Sequence, residues 1–178
     1  MKKNTSASLS NFVDDVYILK ALTRYNNKFK IISESVAEHS FFVAVLTLKM
    51  HDDYNFNLEE ALKMALIHDI PELHLSDVTH DVKRNFPKLA QEVTNAEYVI
   101  MKHKYPQWFT EFQKFEDQES VEALVVKMAD NLSCVQYATA EMELGNKGYM
   151  KEVAQNAGKR VVECEKNLQK YRRVKNAN

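Results

Sequence analysis

Residues 57–72 read NLEEALKMALIHDIPE, and they hold the start, the body and the end of one helix. The first four residues form a capping pattern, which predicts a helix start. Pro71 disfavours the α conformation at the residue before it, so the helix should break there. The break places His68 and Asp69 at a helix C-terminus and Glu72 on the first turn of the next element. All three side chains are thereby directed toward one space.

The rest of the chain shows the same helical character. It has only three glycines and three prolines among 178 residues, too few for the frequent turns of an all-β fold. Apolar residues at helical spacing predict further helices. These helices cover about 9–23, 36–51, 87–100 and 106–112, then a long helix from 121 to the glycines at 145 and 148, and a last helix over about 149–172.

The helix predicted over 36–51 follows a second capping box at Ser35 and Glu38 and is apolar nearly all round, which predicts burial on every side. No repeat or linker interrupts the chain. The sequence therefore predicts an all-α fold, a helical bundle in one domain over residues 1–178. Its core spans about 9–145, and a C-terminal helix follows over about 149–172.

Charge and cysteine content exclude several classes of protein. The 24 basic and 25 acidic residues give a net charge of −1, which argues against a protein that coats a nucleic acid polymer or an anionic membrane. The two cysteines have no CxxC spacing, so we expect reduced thiols. The first ten residues lack the apolar region of a signal peptide, and no apolar run approaches the ~20 residues of a membrane span. We expect a cytoplasmic protein.

Four side chains that are distant in sequence predict one divalent metal site: His39, His68, Asp69 and Asp130. Asp130 lies in an apolar helix, where a charge needs a partner. Each residue alone also fits an ordinary core or helix-end position. Together, two imidazoles and two carboxylates suit manganese, cobalt, iron or zinc better than magnesium. A water bound to such an ion becomes a nucleophile near neutral pH.

Two further acids stand close to this site in sequence. Glu72 is either a helix N-terminal acid favoured by the dipole or a general acid or base beside the metal. Asp77 is either a turn residue or a group that orients the nucleophile or holds a substrate hydroxyl. The chain has no HExxH, P-loop or GxGxxG, so proteases, Walker-type NTPases and dinucleotide-binding proteins lack their signatures.

The ordered set of motifs resembles the HD-domain metal-dependent phosphohydrolases, and more narrowly their 5′-deoxynucleotidase group. The resemblance runs from about residue 10 to residue 145. It rests on Arg24-Tyr25, Val36-Ala-Glu-His39-Ser40, His68-Asp69-x-x-Glu72, Ser76-Asp77, Val82-Lys83 and Lys127-Met-Ala-Asp130.

The resemblance implies a role for each matched residue. One divalent cation would be bound by His39, His68, Asp69 and Asp130. Glu72 and Asp77 would be catalytic, with Glu72 protonating the leaving group or activating water. The substrate would be contacted by Arg24, Tyr25, Asp77, His80 and Lys83, with Arg24 and Lys83 on the phosphate. The resemblance also implies a homodimer.

Two positions depart from the pattern of the group. Tyr25 stands where tryptophan is usual, which bears on exclusion of a ribose 2′-hydroxyl. His80-Asp81 stands where threonine-proline is usual. An acid in place of a rigid proline near a phosphate site predicts a changed affinity or substrate choice.

The predicted function is metal-dependent removal of the 5′-phosphate from nucleoside monophosphates, with deoxynucleotides expected. One alternative is an HD-type nucleotide pyrophosphohydrolase or phosphodiesterase. A pyrophosphatase-like relative would carry an acid directly after Glu72, where this chain has Leu73. The other alternative is a non-catalytic nucleotide-binding protein, against which the acids Glu72 and Asp77 argue.

Overall fold

A computed structural model describes residues 5–173 as a set of packed helices. The helices are α1 (Thr5–Ile18), α2 (Val36–Met50), α3 (Leu58–Ile67), α4 (Glu72–Leu75), α5 (His80–Asn85), α6 (Pro87–Lys104), α7 (Phe109–Asp117), α8 (Val121–Glu143) and α9 (Tyr149–Leu168). Within these residues the only β pairing is two isolated bridges. The predicted all-α fold is confirmed, while residues 1–4 and 174–178 of the predicted domain lie outside the described part.

The predicted helix starts are confirmed by their caps. The Ser35 hydroxyl accepts from the Glu38 N–H at 3.2 Å, and the Glu38 carboxylate accepts from the Ser35 N–H at 2.8 Å. At the start of α3 the Asn57 side chain accepts from the Glu60 N–H at 3.3 Å. The α3 helix ends before Pro71, and α4 begins at Glu72. The chain thus turns where the proline predicted a break.

Helix α1 ends five residues earlier than its apolar pattern predicts, at Ile18 rather than near residue 23. The cause is a backbone pairing that the pattern does not encode. The Arg24 N–H donates to the Glu34 carbonyl, and the Val36 N–H donates to the Leu22 carbonyl, both at 2.9 Å. The chain leaves the helix to make these bonds, and residues 19–35 form a loop anchored at both ends.

Helix α8 is central to the packing. Its buried side chains, among them Val125 and Ala129, share one core with Val43 of α2 and Met64 of α3. Helix α9 packs along α8 after a short connection in which Gly145 adopts φ +104°, a conformation that glycine tolerates best. Among residues 5–173 no helix combines the length and apolar character that crossing a membrane requires.

The predicted burial of α2 on every side is wrong on one side. His39, Val43 and Thr47 are fully buried, but the exposed fractions of Phe41, Val45 and Leu48 are 68%, 44% and 51%. The three exposed residues follow i, i+4, i+7 spacing, so they form one continuous apolar strip. We call it the α2 strip.

A buried carboxylate on α8 holds the loop of residues 19–35 in place. Glu141 is fully buried and accepts from the backbone N–H groups of Ile31, at 2.9 Å, and of Ile32. The Asn146 side chain donates to it at 2.6 Å, and the Tyr137 hydroxyl donates to the Ile32 carbonyl at 2.7 Å. The loop that carries Arg24 is therefore fixed to α8.

Candidate active site

Three predicted metal ligands come together between α2, the end of α3 and α8. One ligand atom from each of His39, His68 and Asp130 lies within 4.8 Å of the others. Asp69 reaches the same place from the side: its Oδ2 atom is 3.3 Å from Nε2 of His68 and 3.6 Å from Nε2 of His39. Asp69 is therefore not one of the three residues that share the 4.8 Å cluster, but it lies close to both histidines of that cluster.

His68 is oriented as a metal ligand requires, and His39 has one contact that allows the same orientation. The Nδ1 atom of His68 lies 2.8 Å from the Ala65 carbonyl, which can only accept, so the proton sits on Nδ1 and Nε2 keeps a lone pair. Nδ1 of His39 lies 3.0 Å from the Ser133 hydroxyl, which can accept in the same way. The two Nε2 atoms are 3.4 Å apart and face each other across the centre of the cluster. The donor set therefore fits a divalent ion.

Asp130 uses its two oxygens in different directions. Oδ1 lies 3.3 Å from Nε2 of His39, and Oδ2 accepts from Nζ of Lys127 at 3.0 Å. Burial opposes its charge, but Lys127 and His39 lower the pKa of this carboxyl well below its usual value. Lys127 was not predicted as a site residue. A lysine three residues before Asp130 on the same apolar helix was the available signal.

Glu72 lies near Asp69 and Asp77, and it lines the same cavity as they do. Burial, reinforced by the charges of Asp69 and Asp77, raises its pKa well above the usual value of a glutamate. Its Oε2 atom is buried and has no hydrogen-bond partner in the described part of the chain. A buried oxygen without a partner is costly unless something else binds it. The position suits a group that meets a substrate or a water molecule.

Arg24 is largely buried and reaches into the same site. Its guanidinium donates to Glu34 at 3.0 Å, contacts the Cys134 sulfur at 3.4 Å and lies 2.8 Å from Nδ1 of His39. An arginine N–H can only donate, so in this contact Nδ1 accepts and the proton of the His39 ring lies on Nε2. Metal binding by Nε2 requires the other tautomer, in which Nδ1 donates to the Ser133 hydroxyl. Both cysteines are free, as predicted, and burial raises the pKa of the Cys134 thiol.

The loop after α4 is joined to the loop that carries Arg24. Oδ2 of Asp77 accepts from the Tyr25 N–H at 2.5 Å, and the Asn26 side chain donates to the Ser76 hydroxyl at 2.8 Å. Tyr25 and Ser76 both adopt positive φ, at 52° and 64°, a conformation that costs energy for residues other than glycine. Asp77 thus positions the Tyr25 backbone, whichever role it has toward a substrate.

A cavity of about 260 Å³ opens over these groups, and the predicted substrate residues line it. They are Arg24, Tyr25, Asp77, His80 and Lys83. The Tyr25 ring is stacked on Tyr137 with centroids 5.1 Å apart. His39 and His68 lie behind the cavity wall, while Asp69 and Asp130 contribute to it.

One wall of the cavity was missed by sequence reasoning. Helix α9 contributes Tyr149, Glu152, Asn156 and Arg160 to the lining. None of these residues belongs to a recognisable motif. One signal in the sequence pointed to this wall. His80-Asp81 departs from the threonine-proline of the group, and unusual polar residues at a substrate position need partners from elsewhere in the fold.

The fold is that of the HD-domain phosphohydrolases. An HD-domain phosphohydrolase from Listeria innocua superimposes with a TM-score of 0.70 at 18% identity, over 90% of this chain and 82% of that one. The PH0347 protein from Pyrococcus horikoshii OT3 superimposes with a TM-score of 0.74 at 25% identity, over 87% and 94% of the two chains.

The chain belongs to the YfbR-like 5′-deoxynucleotidase family, whose sequence model matches residues 11–172. Mouse 5′-deoxynucleotidase HDDC2 is 26% identical over 155 residues, which are 80% of this chain and 74% of that protein. The 4′-phosphooxetanocin A phosphatase of Priestia megaterium is 23% identical over 154 residues, 80% and 78% of the two chains. The predicted class, a phosphate-ester hydrolase, is confirmed. The match also extends through α9, beyond the resemblance seen in sequence.

Proposed function

We propose that this protein removes the 5′-phosphate from deoxyribonucleoside 5′-monophosphates with one divalent cation. The observation that carries the proposal is the convergence of His39, His68 and Asp130 beside Glu72, whose Oε2 atom lacks a partner. An acid of raised pKa next to a ligand cluster is what hydrolysis of a phosphate ester needs, and binding alone does not need it.

His39, His68, Asp69 and Asp130 would hold the cation. Imidazole ligands favour manganese, cobalt, iron or zinc over magnesium. A cation bound there would supply a Lewis acid for the phosphoryl group and for water. Lys127 holds Oδ2 of Asp130, so that Oδ1 stays directed to the cluster.

Glu72 would complete the proton balance of the reaction. Hydrolysis breaks the bond between phosphorus and the 5′ oxygen, and phosphorus gains the hydroxyl of a water molecule. Protonated Glu72 would donate its proton to the departing 5′ oxygen, and the remaining proton of the water would restore the acid form. Arg24 and Lys83 would neutralise charge that develops on the phosphoryl oxygens.

A panel of nucleotides with manganese or cobalt tests the proposal. We expect inorganic phosphate and a deoxynucleoside as the products from each deoxynucleoside 5′-monophosphate. Pyrophosphate or tripolyphosphate from di- or triphosphates would indicate an HD-type pyrophosphohydrolase instead. Binding of nucleotides by the metal-loaded protein without any product would indicate a non-catalytic nucleotide-binding protein.

Tyr25 is expected to set the discrimination against ribonucleotides. Its ring lines the cavity but is smaller than the tryptophan usual in the resembling group. In Tyr25→Trp the larger ring should crowd a 2′-hydroxyl, so the deoxy-to-ribo ratio of kcat/KM should rise by about tenfold. Steady-state kinetics with dAMP and AMP give the ratio. Tyr25→Phe keeps the ring size and should leave the ratio near wild type, and an unchanged ratio in both variants would contradict the role.

We propose that the protein forms a homodimer through the α2 strip. Phe41, Val45 and Leu48 form an exposed apolar face that a second copy would bury. The molar mass from light scattering should correspond to two chains, and Phe41→Glu should reduce it to one. Val162→Glu is a matched control, because Val162 is an exposed apolar residue on a different helix. A wild-type mass of one chain would reject the dimer.

We also propose the cytoplasm as the compartment of this protein. Both cysteines are free thiols, which is typical of reducing compartments.

A further inference from the structure

Arg160 differs from the other cations of the cavity. Three of the four lining cations form salt bridges: Arg24 with Glu34, Lys83 with Glu97 and Lys127 with Asp130. Within residues 5–173 no carboxylate forms a salt bridge with Arg160, which is half-buried on α9. A half-buried guanidinium that lines a cavity and has no salt bridge is suited to an anion from outside the protein.

His80 holds this guanidinium. An N–H of Arg160 donates to Nε2 of His80, which lies on α5. Burial and the nearby cations, Arg160 first among them, lower the pKa of His80, so the imidazole is neutral and can accept. Lys83 lies one turn further along α5 and lines the same cavity. The cations Arg160 and Lys83 and the neutral His80 therefore all line the same cavity.

Asp81, the other residue that departs from the pattern of the group, also contacts α9. The Asp81 carboxylate accepts from the Tyr149 hydroxyl at 2.9 Å and from Nζ of Lys28 at 2.5 Å. Both residues that replace threonine-proline thus contact side chains of α9, His80 through Arg160 and Asp81 through Tyr149. The two departures keep α9 against the cavity and place Arg160 at its edge.

We propose that Arg160 binds the phosphate of the substrate and that His80 is its positioning residue. The inference rests on the proposed function and extends it, because it adds a phosphate ligand from α9. A guanidinium offers paired donors that match two phosphate oxygens. His80 accepts one N–H of Arg160 and leaves the others free for the anion.

Binding of inorganic phosphate tests Arg160 without any turnover. The full-length protein loaded with manganese is titrated with phosphate by calorimetry, as wild type, Arg160→Gln and Arg172→Gln. Arg172 is the matched control, since it is an exposed arginine paired with Glu165, and neither residue lines the cavity. We expect the Kd for phosphate to rise about tenfold or more in Arg160→Gln and to stay at the wild-type value in Arg172→Gln.

Titration with deoxyadenosine, which has no phosphate, shows whether Arg160 contacts the phosphate or the nucleoside. Its affinity should be equal in wild type and Arg160→Gln. Equal phosphate affinity in the two arginine variants would overturn the proposal, and so would a loss of deoxyadenosine affinity with unchanged phosphate affinity. Phosphate binding needs no hydrolysis, so failure of the nucleotide panel would leave this result interpretable.

Two substitutions test the positioning by His80. Glutamine can accept from Arg160, whereas alanine cannot. We expect His80→Ala to weaken phosphate binding severalfold and His80→Gln to restore most of it, with the change in activity falling on KM rather than kcat. Equal phosphate affinity in His80→Ala and wild type would show that His80 does not position Arg160.

Discussion

Asp130→Asn is expected to remove the metal from the protein and with it nearly all activity. The amide keeps the shape of the side chain but lacks its charge, which leaves Asp69 as the one carboxylate among the proposed ligands. It also leaves Nζ of Lys127, now 3.0 Å from Oδ2, without an anionic partner. Elemental analysis after dialysis should give about one metal ion per wild-type chain and far less for the variant.

Thermal unfolding gives a second measurement of the same loss. Manganese at 100 times its Kd should raise the free energy of unfolding of the wild type by about 2.7 kcal/mol. Asp130→Asn should show no comparable gain. Asp52→Asn is a suitable control, because Asp52 is a surface acid paired with Lys49. Metal-dependent stabilisation that persists in Asp130→Asn would exclude Asp130 as a ligand.

Glu72→Gln is expected to lower kcat by roughly 10²–10⁴-fold, while binding of the deoxynucleotide survives. Glutamine fills the same space but cannot donate a carboxylic proton to the 5′ oxygen. Metal content should stay at the wild-type value, because Glu72 is not one of the four proposed ligands. Stopped assays of phosphate release and calorimetric titration with dAMP measure the two effects separately.

The pH dependence of the rate shows whether Glu72 acts as the proton donor. The proton donor is the protonated form, and burial together with Asp69 and Asp77 raises its pKa. The wild-type rate should therefore fall as the pH rises through this raised pKa, and Glu72→Gln should lack that fall. Glu60→Gln, a change at a surface pair with Lys114, should behave as wild type. Wild-type kcat in Glu72→Gln would reject the acid role.

Local signals in the sequence were sufficient for most of the fold, and they indicated three side chains that the structure brings together, His39, His68 and Asp130. The capping boxes and Pro71 act within a few residues, so the starts of α2 and α3 and the break before Glu72 could be predicted. Asp130 could be predicted because a carboxylate in an apolar helix needs partners, and the histidines are among the few candidates.

Features that depend on contacts between distant segments could not be predicted. The end of α1 depends on backbone bonds between residues 22–24 and 34–36. The exposed side of α2 depends on which neighbours cover it, and an apolar sequence does not encode its neighbours. Arg160 lies eighty residues from His80 in sequence, and only the packing of α9 brings the two together.

Helix α8 carries Asp130 and Glu141 on one face, and their spacing restricts where residues can be inserted or deleted. Asp130 and Glu141 are eleven residues apart, close to three full turns and about 16 Å along the axis. Asp130 belongs to the ligand cluster, and Glu141 holds the loop of Arg24. A single inserted or deleted residue between them would rotate Glu141 by about 100° away from the loop. Length variation among related chains should therefore avoid this segment and collect in the connection between α8 and α9.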